Sequence, residues 1–160
     1  NKVKEFAAGN DYFVFPSHSV DKKKNPLTAA QKVTFMKEMY PSHKDAIIFD
    51  EAIRDAIKAL KWLEDKGYTD AIFVVGSDRV QAFQFIKQYN GKDYNMNTVE
   101  IKSAGERDPD ADDVSGMSAS KMRKAAQEGD VATIKSGLPN TVNKNNEFIE
   151  TYIDTILAGL

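Results

Sequence analysis

The sequence predicts an α/β fold built on a parallel sheet. Short apolar runs of strand length alternate with capped segments of helical period, which is the arrangement of βαβ units. The firmest run, Ala71–Val75, reads as a buried strand, five apolar residues held between Asp70 and Gly76. A chain of 160 residues suits one domain with a sizeable core.

The elements follow in order. Asn1–Gly9 reads as the last turns of an amphipathic helix closed by Gly9-Asn10, with no start signal ahead of it. Tyr12–Phe15 is a short apolar strand ended by Pro16, and a lysine-rich polar loop runs from Ser17 to Pro26. Thr28 and Gln31 form a capping box for a helix to about Tyr40, with Val33, Phe35 and Met36 facing inward. Ala46–Phe49 is a second strand. Asp50 caps a helix whose stripe is Ile53, Ala56, Ile57, Leu60 and Leu63, closed by Gly67. The strand Ala71–Val75 leads through Gly76-Ser77-Asp78 into a helix with Val80, Phe83 and Ile86 on one side.

Thr98–Ile101 is the last strand. A loop from Ser103 to Met117 then enters a helix capped by Ser118, with Ala119, Met122, Ala125 and Ala126 as its helix-forming body. A short helix near Asp130–Lys135 and a terminal helix from about Asn145 complete the chain. Trp62 and the phenylalanines sit at helical or strand spacing and read as core.

Composition narrows the chemistry. The charges nearly balance, 22 Lys and Arg against 24 Asp and Glu, so the net charge of −2 offers no general attraction to nucleic acid. Without cysteine, disulfides, thiolate catalysis and cysteine-held metals are excluded. No apolar run reaches membrane-spanning length, and none of these residues read as a signal peptide.

In parallel sheets ligands bind beyond the carboxyl ends of strands, which selects Ser17–Asn25, Gly76–Arg79 and Ser103–Arg123. Each has two readings. Lys22-Lys23-Lys24 is either a solvated charge run or a phosphate grip. Gly76-Ser77-Asp78 is either a plain turn or a place where a nucleotide approaches the backbone, with Asp78 accepting from a ribose hydroxyl or an amine. His18 reads as a surface residue with a substrate role open, and His43 as structural. Asp108, Asp110, Asp112 and Asp113 lack the glycine and closing glutamate of a calcium loop and read as solvated. Ser118-Ala119-Ser120-Lys121-Met122-Arg123 is either an ordinary capped helix or a polyphosphate seat made of backbone N–H groups, the macrodipole and two cations.

The order of these pieces resembles the cytidylyltransferase-like nucleotidyltransferases. It runs from strand to lysine loop ending Lys24-Asn25-Pro26-Leu27, capped helix, apolar strand with Gly76-Ser77-Asp78, and Ser118-x-Ser120-Lys121-Met122-Arg123. The stretch from Ala104-Gly105-Glu106-Arg107 through Arg123 is especially similar to tailed-phage-encoded members. The resemblance covers roughly residues 1–138 as a nucleotidyltransferase-like domain, incomplete at its N-terminus, with 139–160 a helical extension packed on it.

The resemblance implies a Rossmann-like three-layer parallel sheet. It also implies direct nucleotidyl transfer, in which a phosphorylated small molecule attacks the α-phosphorus of ATP or CTP and pyrophosphate leaves. Ser118, Ser120, Lys121 and Arg123 would hold the β- and γ-phosphates, and Gly76 and Asp78 the nucleoside. Lys23 or Lys24 would steady the acceptor phosphate or the transition state. Ser17, Ser19 or His18 would touch the acceptor, with Arg107 as a further phosphate contact. Magnesium would bridge the phosphates, and the setting would be cytoplasm or, for a phage protein, a virion.

One departure is large. The family's H-x-G-H signature is absent from these residues, and neither His18 nor His43 has its spacing. By resemblance the first strand and the histidine loop would precede Asn1. These 160 residues alone would then be inactive and in need of a companion segment or a larger assembly. The alternative is a non-catalytic binding or structural domain that retains the fold.

Overall fold

Helix starts are set locally wherever an oxygen-bearing side chain can reach a backbone N–H one turn ahead. Thr28 accepts from Gln31 N and Gln31 returns the bond, so the capping box opens α2 (Ala29–Met39) as expected. Ser118, Asp130 and Asn145 likewise cap α5 (Ala119–Glu128), α6 (Val131–Gly137) and α7 (Asn146–Gly159). The computed structural model describes residues 2–106 and 117–160. It is a mixed α/β structure that also contains α1 (Lys2–Ala7), α3 (Ala56–Asp65) and α4 (Val80–Phe83).

Two parallel strands are present among the described residues, β1 (Asp70–Val75) and β2 (Thr98–Ser103), paired from Asp70↔Thr98 to Val75↔Ser103. Parallel pairing requires a crossover, here supplied by α4 and the flanking 3-10 turns Ser77–Arg79 and Gln84–Tyr89. Thr98 donates its hydroxyl to Asp70 at 2.6 Å, fixing the register from the side-chain level. That bond, with a second from Thr69, holds the Asp70 carboxyl below its usual range.

Contacts divide the chain into two compact units, and each is described by itself. One contains residues 2–15 and 50–106. Its core joins Leu60, Ala71, Ile86, Tyr94 and Met96. A Schellman closure ends α3: Gly67, at φ +96°, donates to Glu64 and Tyr68 donates to Leu63. Tyr68 also gives its hydroxyl proton to the Asp11 carboxylate.

The other unit contains residues 16–49 and 117–160 and is helical. Phe35, Met122, Ala125, Ala126, Ile134, Leu138, Val142, Phe148, Ile149 and Ile156 form its core. Phe35 meets Phe148 and Tyr152 edge-on, with centroids 5.6 and 5.1 Å apart. Gly129, at φ +67°, closes α5, and the adjacent Asp130 opens α6. Gly159 presses its Cα onto the Pro26 backbone, leaving no room there for a Cβ.

Several expectations are corrected. Tyr12–Phe15 forms no strand, and only Val14 makes an isolated bridge. Its alternation serves packing instead: Phe13 and Phe15, two residues apart, both set their rings edge-on to Trp62, at 5.1 and 5.6 Å. Ala46–Phe49 is not a strand either, because Pro41 starts a 3-10 helix that runs through Ala46 and leaves only Ile47 bridged. Asp50 caps a single turn, bonding Ala52 N, whereas Asp55 caps α3 through Lys58 N.

The segment after Asp78 is not one regular helix but a short α-turn between two 3-10 turns. β1 is not buried throughout, since Ile72 is 45 % exposed. Aromatics are not all core: Phe49 and Phe85 are exposed and Trp62 is half-buried with the Lys66 ammonium 5.0 Å from its ring. Among the described residues no helix is long and apolar enough to cross a membrane.

Candidate functional site

The lysine loop is organised by a residue within it. Asp21, the only acidic residue of 17–25, accepts from the N–H groups of Lys23 and Lys24 at 2.8 and 2.6 Å and from the Asn25 amide at 2.6 Å. Asp21 N in turn donates to the Asn25 carbonyl at 2.9 Å, closing the turn. These donors, the Asn25 side chain foremost, lower the Asp21 carboxyl to about 2.

The start of the loop is tied to α2. The Lys32 ammonium donates to the Ser17 carbonyl, the Ser17 hydroxyl and the Ser19 carbonyl at 3.0, 3.1 and 3.0 Å. Partial burial lowers the Lys32 pKa, and the nearby Asp21 charge opposes that shift. Lys22, Lys23 and Lys24 remain exposed, so the turn presents cationic side chains on a folded backbone.

The end of the loop is tied to α5. Arg123 Nη1 donates to the Lys24 carbonyl at 2.9 Å, and Nη2 to the Ser120 hydroxyl oxygen at 3.3 Å. Ser120 accepts in this contact and keeps its own proton to donate. Ser118 accepts from Lys121 N at 3.1 Å, so one amide of the first turn is occupied by the cap. Ser17, Lys23, Lys24, Ser118, Ser120, Lys121 and Arg123 thus belong to one unit.

His18 belongs to the same unit and stacks on Phe49, with centroids 5.9 Å apart and rings at 27°. Gly76 and Asp78 belong to the other unit. Gly76 follows β1 at φ −59°, and a Cβ there would lie 2.8 Å from the Asp78 carboxylate, which folds back over it. Ala104 N donates to the Val75 carbonyl at 2.7 Å, so the turns after the two strands are neighbours. Arg107 and the aspartates at 108, 110, 112 and 113 lie outside the described residues.

Sequence reading missed Asp21 and Lys32. Asp21 had a signal, an aspartate followed two residues later by the amides it captures and four later by Asn25, which is an Asx-turn arrangement. Lys32 had none, because its partners lie 13 and 15 positions away.

Comparison with known proteins adds no relative: no family model, curated protein or solved structure matches this chain.

Proposed function

We propose that the protein is a nucleotide-binding domain of the nucleotidyltransferase type, on a Rossmann-like parallel sheet, which engages the polyphosphate of a nucleoside triphosphate. The observation that carries this reading is the Arg123–Lys24 hydrogen bond, which joins a lysine-bearing turn to a hydroxyl-bearing helix start. Each segment alone has an ordinary explanation as solvated surface. Joined, they offer exposed ammonium groups, the Ser120 hydroxyl and the positive end of α5 to an extended anion.

In the corresponding reaction, a phosphate oxygen of a phosphorylated small molecule forms a bond to the α-phosphorus of ATP or CTP. The bond from that phosphorus to the bridging oxygen breaks, and pyrophosphate leaves. Ser118, Ser120 and Lys121 contact the leaving phosphates, and Lys23 and Lys24 balance charge on the transferred group. Positioning and charge stabilisation then carry the rate, without a covalent enzyme intermediate. Magnesium enters this reading on the nucleotide's phosphates and water, as suits a hard cation. Among the described residues no group of three His, Asp or Glu side chains is gathered.

A second reading is a binding domain without catalysis, for which the same joined lysine turn and helix start would hold the anion without transferring it. Calorimetric titration with ATP, CTP and inorganic tripolyphosphate tests the shared part of both. Binding that weakens with added salt, and on joint Lys23→Ala and Lys24→Ala substitution, supports the polyphosphate seat. No heat from any of the three at millimolar concentration removes it. Pyrophosphate release with phosphorylated acceptors then separates enzyme from binder.

A further inference from the structure

We infer that Arg123 is a positioning residue, which acts on a bound polyphosphate through Lys23 and Lys24 rather than by touching it. This rests on the polyphosphate reading above. Two guanidinium donors of Arg123 are engaged within the protein, one by the Lys24 carbonyl and one by the Ser120 hydroxyl, and the side chain is half-buried. The lysines it steadies are exposed.

The geometry at Lys24 is specific. Its N–H is held by the Asp21 carboxylate and its C=O by Arg123. The peptide groups on both sides of the Lys24 Cα are therefore oriented, and with them the direction in which the side chain leaves the backbone. A lysine side chain loses considerable rotamer entropy when it grips a ligand, so a fixed point of departure lowers what remains to be ordered. Arginine suits the task because its planar fork reaches two acceptors at once, whereas a lysine ammonium carries the same charge without that shape.

The expected signature is non-additivity. Arg123→Ala weakens tripolyphosphate binding about tenfold. In a chain that already carries Lys23→Ala and Lys24→Ala it weakens binding no further, because the groups it positions are gone. Arg123→Lys does not restore the affinity, although it restores the charge.

The test is calorimetry with inorganic tripolyphosphate on the full chain, combined with amide NMR. The Asn25 amide belongs to the peptide whose carbonyl Arg123 holds, so its 15N shift moves in Arg123→Ala. The Lys121 amide, held by the Ser118 cap, stays and reports an intact α5. If Arg123→Ala does not fold, Arg123→Gln takes its place in the same cycle. Additive losses or rescue by Arg123→Lys would each overturn the inference while leaving the polyphosphate reading in place. An unmoved Asn25 amide would overturn the inference and remove the Arg123–Lys24 bond on which that reading also rests. Absence of wild-type binding overturns both.

Discussion

The Arg123 guanidinium donates to the Lys24 carbonyl at 2.9 Å, across 99 positions of sequence. That bond joins the lysine-bearing turn to the start of α5. It works because the two ends of the bond are prepared separately. Asp21 folds the turn that aims the carbonyl, and the Ser118 cap fixes where α5 begins.

Ser118 separates capping from anion binding. Ser118→Ala removes the acceptor for Lys121 N and is expected to cost about 0.5–2 kcal/mol of stability, measured by urea denaturation. Ser118→Asp keeps a capping oxygen and complements the helix dipole, so stability holds. The same aspartate repels a polyphosphate by on the order of 1 kcal/mol at a few ångströms in a hydrated setting. Calorimetry should therefore show weaker tripolyphosphate binding in a variant as stable as the parent. Equal binding by Ser118→Asp would place the anion elsewhere.

The lysine turn has its own pH limit. Folding depresses the Asp21 carboxyl from 3.8 to about 2, through the Asn25 side chain first and the Lys24 and Lys23 amides after it. A depressed acid contributes stability above its unfolded pKa and loses it as pH falls through the folded value. The Lys23 and Lys24 amide resonances should thus hold their positions down to the ordinary carboxylate range and move only as pH falls from there toward about 2. Movement centred at the ordinary value would show that the turn is not formed. Asp21→Ala should shift both amides at neutral pH.

Tyr94 is a structural test of the unit that carries the sheet. It is 1 % exposed and donates its hydroxyl to the Ile86 carbonyl at 2.6 Å. Tyr94→Phe retains the ring and leaves that carbonyl without its donor, which costs about 1–3 kcal/mol. Thermal and urea denaturation should both register the loss. A neutral result would mean that water replaces the hydroxyl.

Much of the local architecture was legible because it depends on residues within one turn of each other. The Thr28–Gln31 box, the Ser118 cap, the helix start near Asn145, the Gly67 closure, and the strands around Ala71–Val75 and Thr98–Ile101 all read from short-range chemistry. Asp50 misled because Asp50 and Asp55 have the same local credentials, and only the chain between them chooses. Tyr12–Phe15 and Ala46–Phe49 misled for a related reason. An apolar run of four states that a segment is to be buried, not whether a ladder or a set of rings will bury it.

By itself, then, the sequence determined several helix starts and stops, the two segments that do form strands among the four it offered, and which types of side chain could meet an anion. Tertiary structure decided which of those side chains meet. The contacts of Lys32 with Ser17 and Ser19, and of Arg123 with Lys24, join positions that no local pattern couples. Such contacts form only when the cores beneath them close, because a hydrogen bond between distant exposed groups cannot by itself offset the chain entropy of bringing them together.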